Sequence, residues 1–539
     1  MPDGYSPFLR IPPFPGHKGG ALTRTGHSNI DVQEIAAAII AERVGGSFWG
    51  AQPDMDNNVI LLAPDSEDQL QAMLARLSRD QRSAAIAPGM HLPNHCQRLP
   101  VDCDPWHLAA SAREVWTGAN QEIALVASLS GVSMSLFGDG RFAGCDVTPE
   151  AALAEAVSGW RYISPFTCED WSPITAIAQL AAWRKLIDAN RKIDAVYGVA
   201  GWKRVTLDAV LWDGSRPVDY ARGFRSIRDT RQYQIVWKSR TTPRLLTELV
   251  SNDVRVGEIE DGFIRSVGLG ANCVPPLSAI VDLTGIYFDP SQESDLEKIL
   301  QRENFDPALS DRAAALKKRL IEADISKYGQ IRNEIKLADK SRYKVLVAGQ
   351  VEDDRSICTG GAGMTNLELL ARARTHAPDA HIIYKPHPDV VAGHRKGHVE
   401  TADALRFADE IQNNAAITSL IEAVDGVHVI TSLAGFEALL RGKAVTTHGV
   451  PFYAGWGLTK DLSEVPARRT RCLSLDELVA GTLLLYPRYT DPVTRLPCSA
   501  ELLVERMAQG EARISTPLIT LREWQGRLRL LLRSFIRRH

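Results

Sequence analysis

Between residues 344 and 447 the chain repeats one pattern: a short apolar run, a loop, then a helical segment. KVLVAG (344–349), HIIYK (381–385), VHVI (427–430) and KAVTT (443–447) are the apolar runs, and they read as strands. Asn366–Thr375 and LAGFEALLRG (433–442) read as helices, the second stopping at Gly442. Repeated strand–loop–helix units predict a parallel sheet, whose functional loops gather at the carboxyl ends of its strands. KPHPD (385–389), Thr431-Ser432 and HGVPFYAGWG (448–457) all stand in such loops.

The rest of the chain divides around this module. Residues 1–30 read as an irregular arm rich in proline, glycine and small polar residues. An N-terminal α/β region, 1–160, contains NNVILLAP (57–64) as a strand and Ser66–Leu77 as a helix. EIALVASLSGV (122–132) is expected to run strand, tight turn, helix. ALVASLSG (124–131) echoes HVITSLAG (428–435), so this region is either a reduced copy of the later module or a coincidental match. A second domain, 161–335, has strands at IDAVYGV, QYQIVWK and AIVDLTGIYFDP, with a helix from ESDLEKIL that Ser294 can cap. A third domain covers 336–495, and a helical basic tail covers 496–539.

A chain of 539 residues can hold two or three domains. Its 62 basic and 65 acidic side chains nearly cancel, which gives no bulk-charge case for nucleic acid. The 8 cysteines lack a disulfide-framework spacing, and reduced thiols in a cytoplasmic setting are expected. No apolar stretch is long enough to span a bilayer, and the polar N-terminus lacks a secretory signal. His91, His95, Cys96 and Cys103 include zinc-ligand types but no paired framework, so they read as structural.

Several loops carry groups suited to chemistry, each with a plain structural use. In KPHPD, two prolines fix the backbone at a strand end and hold Lys385 and His387 together. That arrangement suits an anion; a rigid turn is the alternative. Glu260-Asp261-Gly262 places adjacent carboxylates on opposite faces of an extended segment before a glycine turn, one free to act as nucleophile or base. Alone it reads as a surface turn with ordinary acids, and Arg265 can bind a substrate carboxylate or pair with one of these acids. In GQVEDDRSI (349–357), Gln350 offers an amide to a ligand, while Glu352, Asp353 and Asp354 read as solvated loop acids. Thr431 and Ser432 can hold a phosphate at a helix start or simply cap the helix. Glu437 faces ribose hydroxyls or solvent; Tyr453 and Trp456 line a ligand or pack in an interface; RRTR (468–471) meets an anion or water.

Taken together, EDGFIRSVGLG, KPHPDVVAGHRKG, VITSLAGFEALLRGKAV, HGVPFYAGWGLTKD and LYPRYTDP resemble the capsule-polysaccharide β-Kdo glycosyltransferases over most of 165–495. The resemblance implies an α/β GT-B fold, with two Rossmann-like domains facing a cleft, preceded here by the N-terminal α/β region. It implies CMP-β-Kdo as donor, no metal or other cofactor, and a Kdo-containing lipid or glycan as acceptor. By similarity to CMP-sugar sialic-acid transferases, Glu260-Asp261-Gly262, His387-Pro388 and Thr431-Ser432 are the matching motifs. The roles that follow are Asp261 as nucleophile, with Glu260 as its substitute, and His387 with Lys385 at the leaving phosphate. Gln350, Pro388, Thr431, Ser432 and Glu437 complete the donor site. A single retaining β-Kdo transfer is the expected reaction; an inverting CMP-sugar transferase, a nucleotide-sugar epimerase and a glycan-binding module are the other readings. Capsule-assembly proteins are expected partners. LITLREWQGRLRLLLRSFIRRH (518–539) has a basic amphipathic pattern, which points either to an anionic membrane surface and peripheral location or to a tail that packs on protein.

Overall fold

The computed structural model describes residues 6–514, apart from 18–21, 27–29, 57, 79, 224–231, 267–272, 327–328, 331–340 and 394. The basic tail at 518–539 and most of the glycine-rich bend after Ser266 lie outside the described residues. The chain forms two compact units: residues 1–193 with 208–219 and 493–496, and residues 194–207 with 220–492 and 497–539.

The first unit is built on five parallel strands, β1 (Val59–Ala63), β2 (Arg82–Ala85), β3 (Cys96–Arg98), β4 (Glu114–Gly118) and β5 (Met134–Phe137), in the order β3-β2-β1-β4-β5. Every residue of β1 is buried, as expected of a central strand covered on both faces. Helix α1 (Glu67–Arg76) starts where Ser66 Oγ accepts the Gln69 N–H at 3.3 Å. The expectation for 122–132 is corrected here: EIALVASL is one helix, α2 (Glu122–Leu129), and the strand before it is EVWTG. Residues 123–127 of α2 are all buried, so the run shows no polar face and its periodicity is hidden. Its alanines and leucines favour the helix. The echo between ALVASLSG and HVITSLAG therefore sets a helix against a strand. Cys103 Sγ donates to the Pro100 carbonyl at 3.2 Å, and among the described residues no group of three His, Cys, Asp or Glu is placed to hold a metal ion.

The second unit contains two Rossmann-like sheets. In the first, β6 (Ile193–Tyr197), β7 (Tyr220–Ala221), β8 (Tyr233–Val236), β9 (Val256–Asp261) and β10 (Ser278–Asp282) run in the order β7-β6-β8-β9-β10. The β7–β6 and β8–β9 pairs are parallel, and β10 is antiparallel to β9 with Asp261 opposite Ala279. Arg488–Thr490 then adds antiparallel to β10, and Pro497–Cys498 closes the sheet.

The second sheet is wholly parallel: β11 (Lys344–Ala348), β12 (His381–Lys385), β13 (Glu410–Ile411), β14 (Gly426–Val429), β15 (Ala444–Thr447) and β16 (Lys460–Asp461), ordered β13-β12-β11-β14-β15-β16. The four strands expected between 344 and 447 are all present. Strand order reverses between β11 and β14, and ligands of open α/β sheets bind at such a reversal, beyond the strand carboxyl ends. This is a GT-B-like architecture with an added N-terminal α/β region. Among the described residues no helix is long and apolar enough to cross a membrane.

Candidate functional site

The loops that leave β11, β12 and β14 meet where the strand order reverses. Gln350, just past β11, donates Nε2–H to Thr431 Oγ1 at 3.2 Å, and its Oε1 accepts the Thr431 N–H at 2.8 Å. The two residues are 7% and 9% exposed, so this amide pair ties the two strand ends together as a floor. Ser432 caps α3 (Leu433–Leu440) by accepting the Ala434 N–H at 3.2 Å. The Gly435 N–H is in turn bonded to the Ser432 carbonyl at 3.1 Å, and the helix's positive end lies at this turn. Glu437 lies one turn further along α3 and is buried.

At the end of β12, Lys385 is buried and donates Nζ–H to the Asn413 carbonyl at 2.7 Å; burial lowers its pKa. Pro386 and Pro388 stop the strand ladder, and His387 caps a single turn, Pro388–Val391. His387 Nδ1 accepts the Asp389 N–H at 3.2 Å, so a neutral ring carries its proton on Nε2. Burial lowers the His387 pKa, outweighing the upward pull of Asp389 and Asp354, and favours that neutral form. The imidazole is 37% exposed, leaving it accessible as a hydrogen-bond donor.

Asp261 ends β9 of the other sheet. Its Oδ1 accepts from Lys203 Nζ at 3.0 Å and its Oδ2 from Arg265 Nε at 2.7 Å. Burial alone raises a carboxyl pKa, but the two cations override it and hold Asp261 below the ordinary range, so it is ionised. Lys203 is itself pushed down to about 8 by burial, against the pull of Asp261, and its Nζ lies 3.2 Å from the centre of the Trp237 ring. Arg265 thus takes the pairing role of its two expected uses. Lys203 was not expected at all; the available signal was a basic residue in the loop directly after β6. Glu260 is half-buried beside Asp261, and its Oε1 accepts the Asp261 N–H at 3.2 Å.

An aromatic bridge joins this carboxylate to the parallel sheet. Phe263, two residues after Asp261, lies 4.9 Å from Phe452 and 4.8 Å from Tyr287, and Phe452 lies 5.3 Å from Phe436 of α3. Tyr453 then donates its hydroxyl to the Ser432 carbonyl. A Cβ on Gly435 would stand 2.2 Å from that hydroxyl, so only glycine fits there. Glu258 of β9 also pairs with Arg355 at 2.8 Å. Tyr453 and Trp456 are fully buried, so they serve packing rather than a ligand face. Arg468 and Arg469 pair with Glu297, and Arg471 with Glu477. The acids of GQVEDDRSI have structural partners: Glu352 accepts the Asn366 N–H, Asp353 pairs with Arg395, and Asp354 caps Arg355–Gly360.

The family model described as capsule polysaccharide biosynthesis protein matches residues 235–489, which include Asp261, His387 and Ser432. The lipopolysaccharide-processing protein LpsZ of Rhizobium meliloti is 40% identical over 328 residues, covering 58% of this chain and 73% of LpsZ. The chain belongs to the capsule polysaccharide biosynthesis family. Another family relative, the capsule polysaccharide modification protein LipA of Neisseria meningitidis, is 41% identical over 345 residues, or 63% of this chain and 49% of LipA. The chain thus spans about half the length of the LipA proteins it matches. Among solved structures, the β-Kdo 2,4 transferase of Thermosulfurimonas dismutans KpsC is 29% identical, with a TM-score of 0.50 over 58% of this chain and 98% of that one.

Proposed function

We propose that this family member is a glycosyltransferase that moves Kdo from CMP-β-Kdo to an acceptor hydroxyl with retention of configuration, in capsule or surface-polysaccharide synthesis. The observation that carries the reading is the state of Asp261: an ionised carboxylate, 20% exposed, fixed between two cations and linked by packed rings to the strand-end loops of a Rossmann sheet. A carboxylate whose pKa is depressed is a weak base, and its fixed geometry favours attack on carbon over proton removal. Asp261 forms a bond to C2 of Kdo as the bond from C2 to the phosphate oxygen breaks and CMP departs with the electron pair. An acceptor hydroxyl then bonds to C2 from the opposite face, releases Asp261 and gives up its proton to Glu260 or water. Two inversions give net retention.

On the donor side, the His387 Nε2–H and the α3 N-terminus at Ser432 stabilise negative charge growing on the leaving phosphate. Lys385 adds positive charge. Gln350 and Thr431 hold the floor of the nucleotide site, with Pro388 fixing His387 and Glu437 assigned to ribose recognition. No metal is assigned a role. Mass spectrometry after incubation with CMP-Kdo tests the reading: a Kdo adduct on the peptide carrying Asp261, with a β-linked product, is expected. A product of inverted configuration would point to base catalysis, and a modified free sugar released without acceptor to an epimerase.

A further inference from the structure

Two cations on a single carboxylate work against nucleophilic attack, because they stabilise the charge that attack must give up. Lys203 Nζ donates to Asp261 Oδ1 at 3.0 Å and Arg265 Nε to Oδ2 at 2.7 Å, so each oxygen carries its own cation. Both cations are buried, at 3% and 2% exposure. Arg265 is tied in place by neutral groups: it donates from Nη1 to Ser266 Oγ at 2.7 Å and from Nη2 to the Val274 carbonyl at 3.1 Å, which leaves Nε for Asp261. Lys203 ends the single turn Gly201–Lys203, and its carbonyl accepts the Thr206 hydroxyl at 3.1 Å. Thr490 Oγ1 donates in turn to the Thr206 carbonyl at 2.7 Å, so the returning strand braces the turn. The ammonium lies against the Trp237 ring and 5.4 Å from the centre of the Trp202 ring. Burial pushes the Lys203 pKa down to about 8, and Asp261, ahead of Glu260, pulls against it and keeps the amine charged at neutral pH.

These groups balance while Asp261 is ionised, two cations facing two carboxylates. A covalent bond from Asp261 to a sugar carbon turns its carboxylate into a neutral ester and leaves Lys203 and Arg265 facing Glu260. The adduct is thereby disfavoured, and breaking it restores both charge-assisted hydrogen bonds. Cations that blunt Asp261 as a nucleophile improve it as a leaving group. We infer that Lys203, with Arg265, serves the second half of the reaction: it stabilises the carboxylate as the bond from Asp261 to C2 breaks, and so keeps the adduct short-lived. The inference rests on the double displacement proposed above. In that step the incoming hydroxyl oxygen bonds to C2, the electron pair of the old bond returns to Asp261, and the hydroxyl proton leaves to Glu260 or water. Lys203 keeps its own protons.

Intact-protein mass spectrometry on rapidly quenched samples of the full chain follows the two halves separately: formation of the adduct from CMP-Kdo, then, once the donor is removed, its decay in water to free Kdo. In Lys203→Met the adduct should form no more slowly than in the parent and decay about thirtyfold more slowly, the cost of losing one charge-assisted hydrogen bond to a departing anion. Lys203→Arg, which keeps the charge, should recover most of that loss, and added ethylammonium should speed decay in Lys203→Ala. The parent needs no substitution for a further check: its decay should slow as pH rises to the value of about 8 at which Lys203 gives up its proton. Unchanged decay in folded Lys203→Met, formation and decay slowed alike, or a parent decay that does not fall with pH would overturn the role given to Lys203 and leave the double displacement standing. An adduct absent from parent and variants alike, with CMP still released, would overturn the double displacement itself and this role with it.

Discussion

The five-stranded sheet of the first unit and the six-stranded sheet of the second share a strand order, yet their reversal points are furnished differently. Between β1 and β4, Asp65 fills the crossing: its Oδ2 accepts the Asn120 N–H at 3.1 Å and its Oδ1 accepts from Gln121 Nε2 at 3.0 Å. A Cβ on Gly118 would lie 2.3 Å from Asp65, so side chain and backbone close the place a ligand needs. Between β11 and β14 the Gln350–Thr431 pair forms a floor, and Lys385, the partly exposed His387 imidazole and the start of α3 follow the ends of strands in the same sheet. Topology offers a binding place in both sheets, and the two differ in the side chains that furnish it.

The largest test of this contrast is Asp261→Asn against Asp65→Asn. We expect the first to lower transfer at least about a thousandfold while the protein stays folded by circular dichroism, and the second to leave transfer intact. Comparable losses in both would erase the distinction between a working and a closed unit. Next in size, His387→Ala should cut turnover by about a hundredfold, the usual cost of losing one donor to a developing anion, with little change in melting temperature.

The sheets should also part company in acid. Burial holds His428 down to about 4 and His448 to about 3, from 6.5, and the two rings share a hydrogen bond at 3.0 Å between β14 and the end of β15. Because the folded chain keeps them neutral, the unfolded chain takes up protons first. Their contribution is intact above pH 6.5 and falls as pH drops towards 4. The strands of the five-stranded sheet contain no histidine. Hydrogen exchange at pH 7 and pH 5 should therefore show the six-stranded sheet losing stability, on the order of 2 kcal/mol for each histidine, while the other sheet holds. The smallest expected effect is at the floor itself: Thr431→Val should cost about 1 kcal/mol of stability and weaken CMP binding. Asp65→Ala, with a similar stability cost, should leave CMP binding unchanged.

Much of the parallel sheet was legible because strands buried on both faces read as apolar runs with punctuated ends. The same logic failed at EIALVASL, where a helix buried almost all round presents the same uniform apolarity. The candidate site could be proposed where a motif is contiguous: KPHPD, Thr431-Ser432 and EDG each carry their groups within a few residues. Lys203 was not legible, since it lies 58 residues before Asp261 and only the fold brings the two together. Tyr453 and Trp456 could be read as ligand faces or as packing, and burial alone decided between them.

The strand Arg488–Thr490 returns, after the whole parallel sheet has been laid down, to pair with β10 of the sheet before it. The first Rossmann-like sheet is therefore not contiguous in the gene, whereas the parallel sheet, 344–461, is. A crossover or truncation falling between codons 345 and 487 would pass on a first sheet without its returning strand, so inheritance or grafting of the Asp261 centre should succeed only when the stretch through Thr490 travels as one piece.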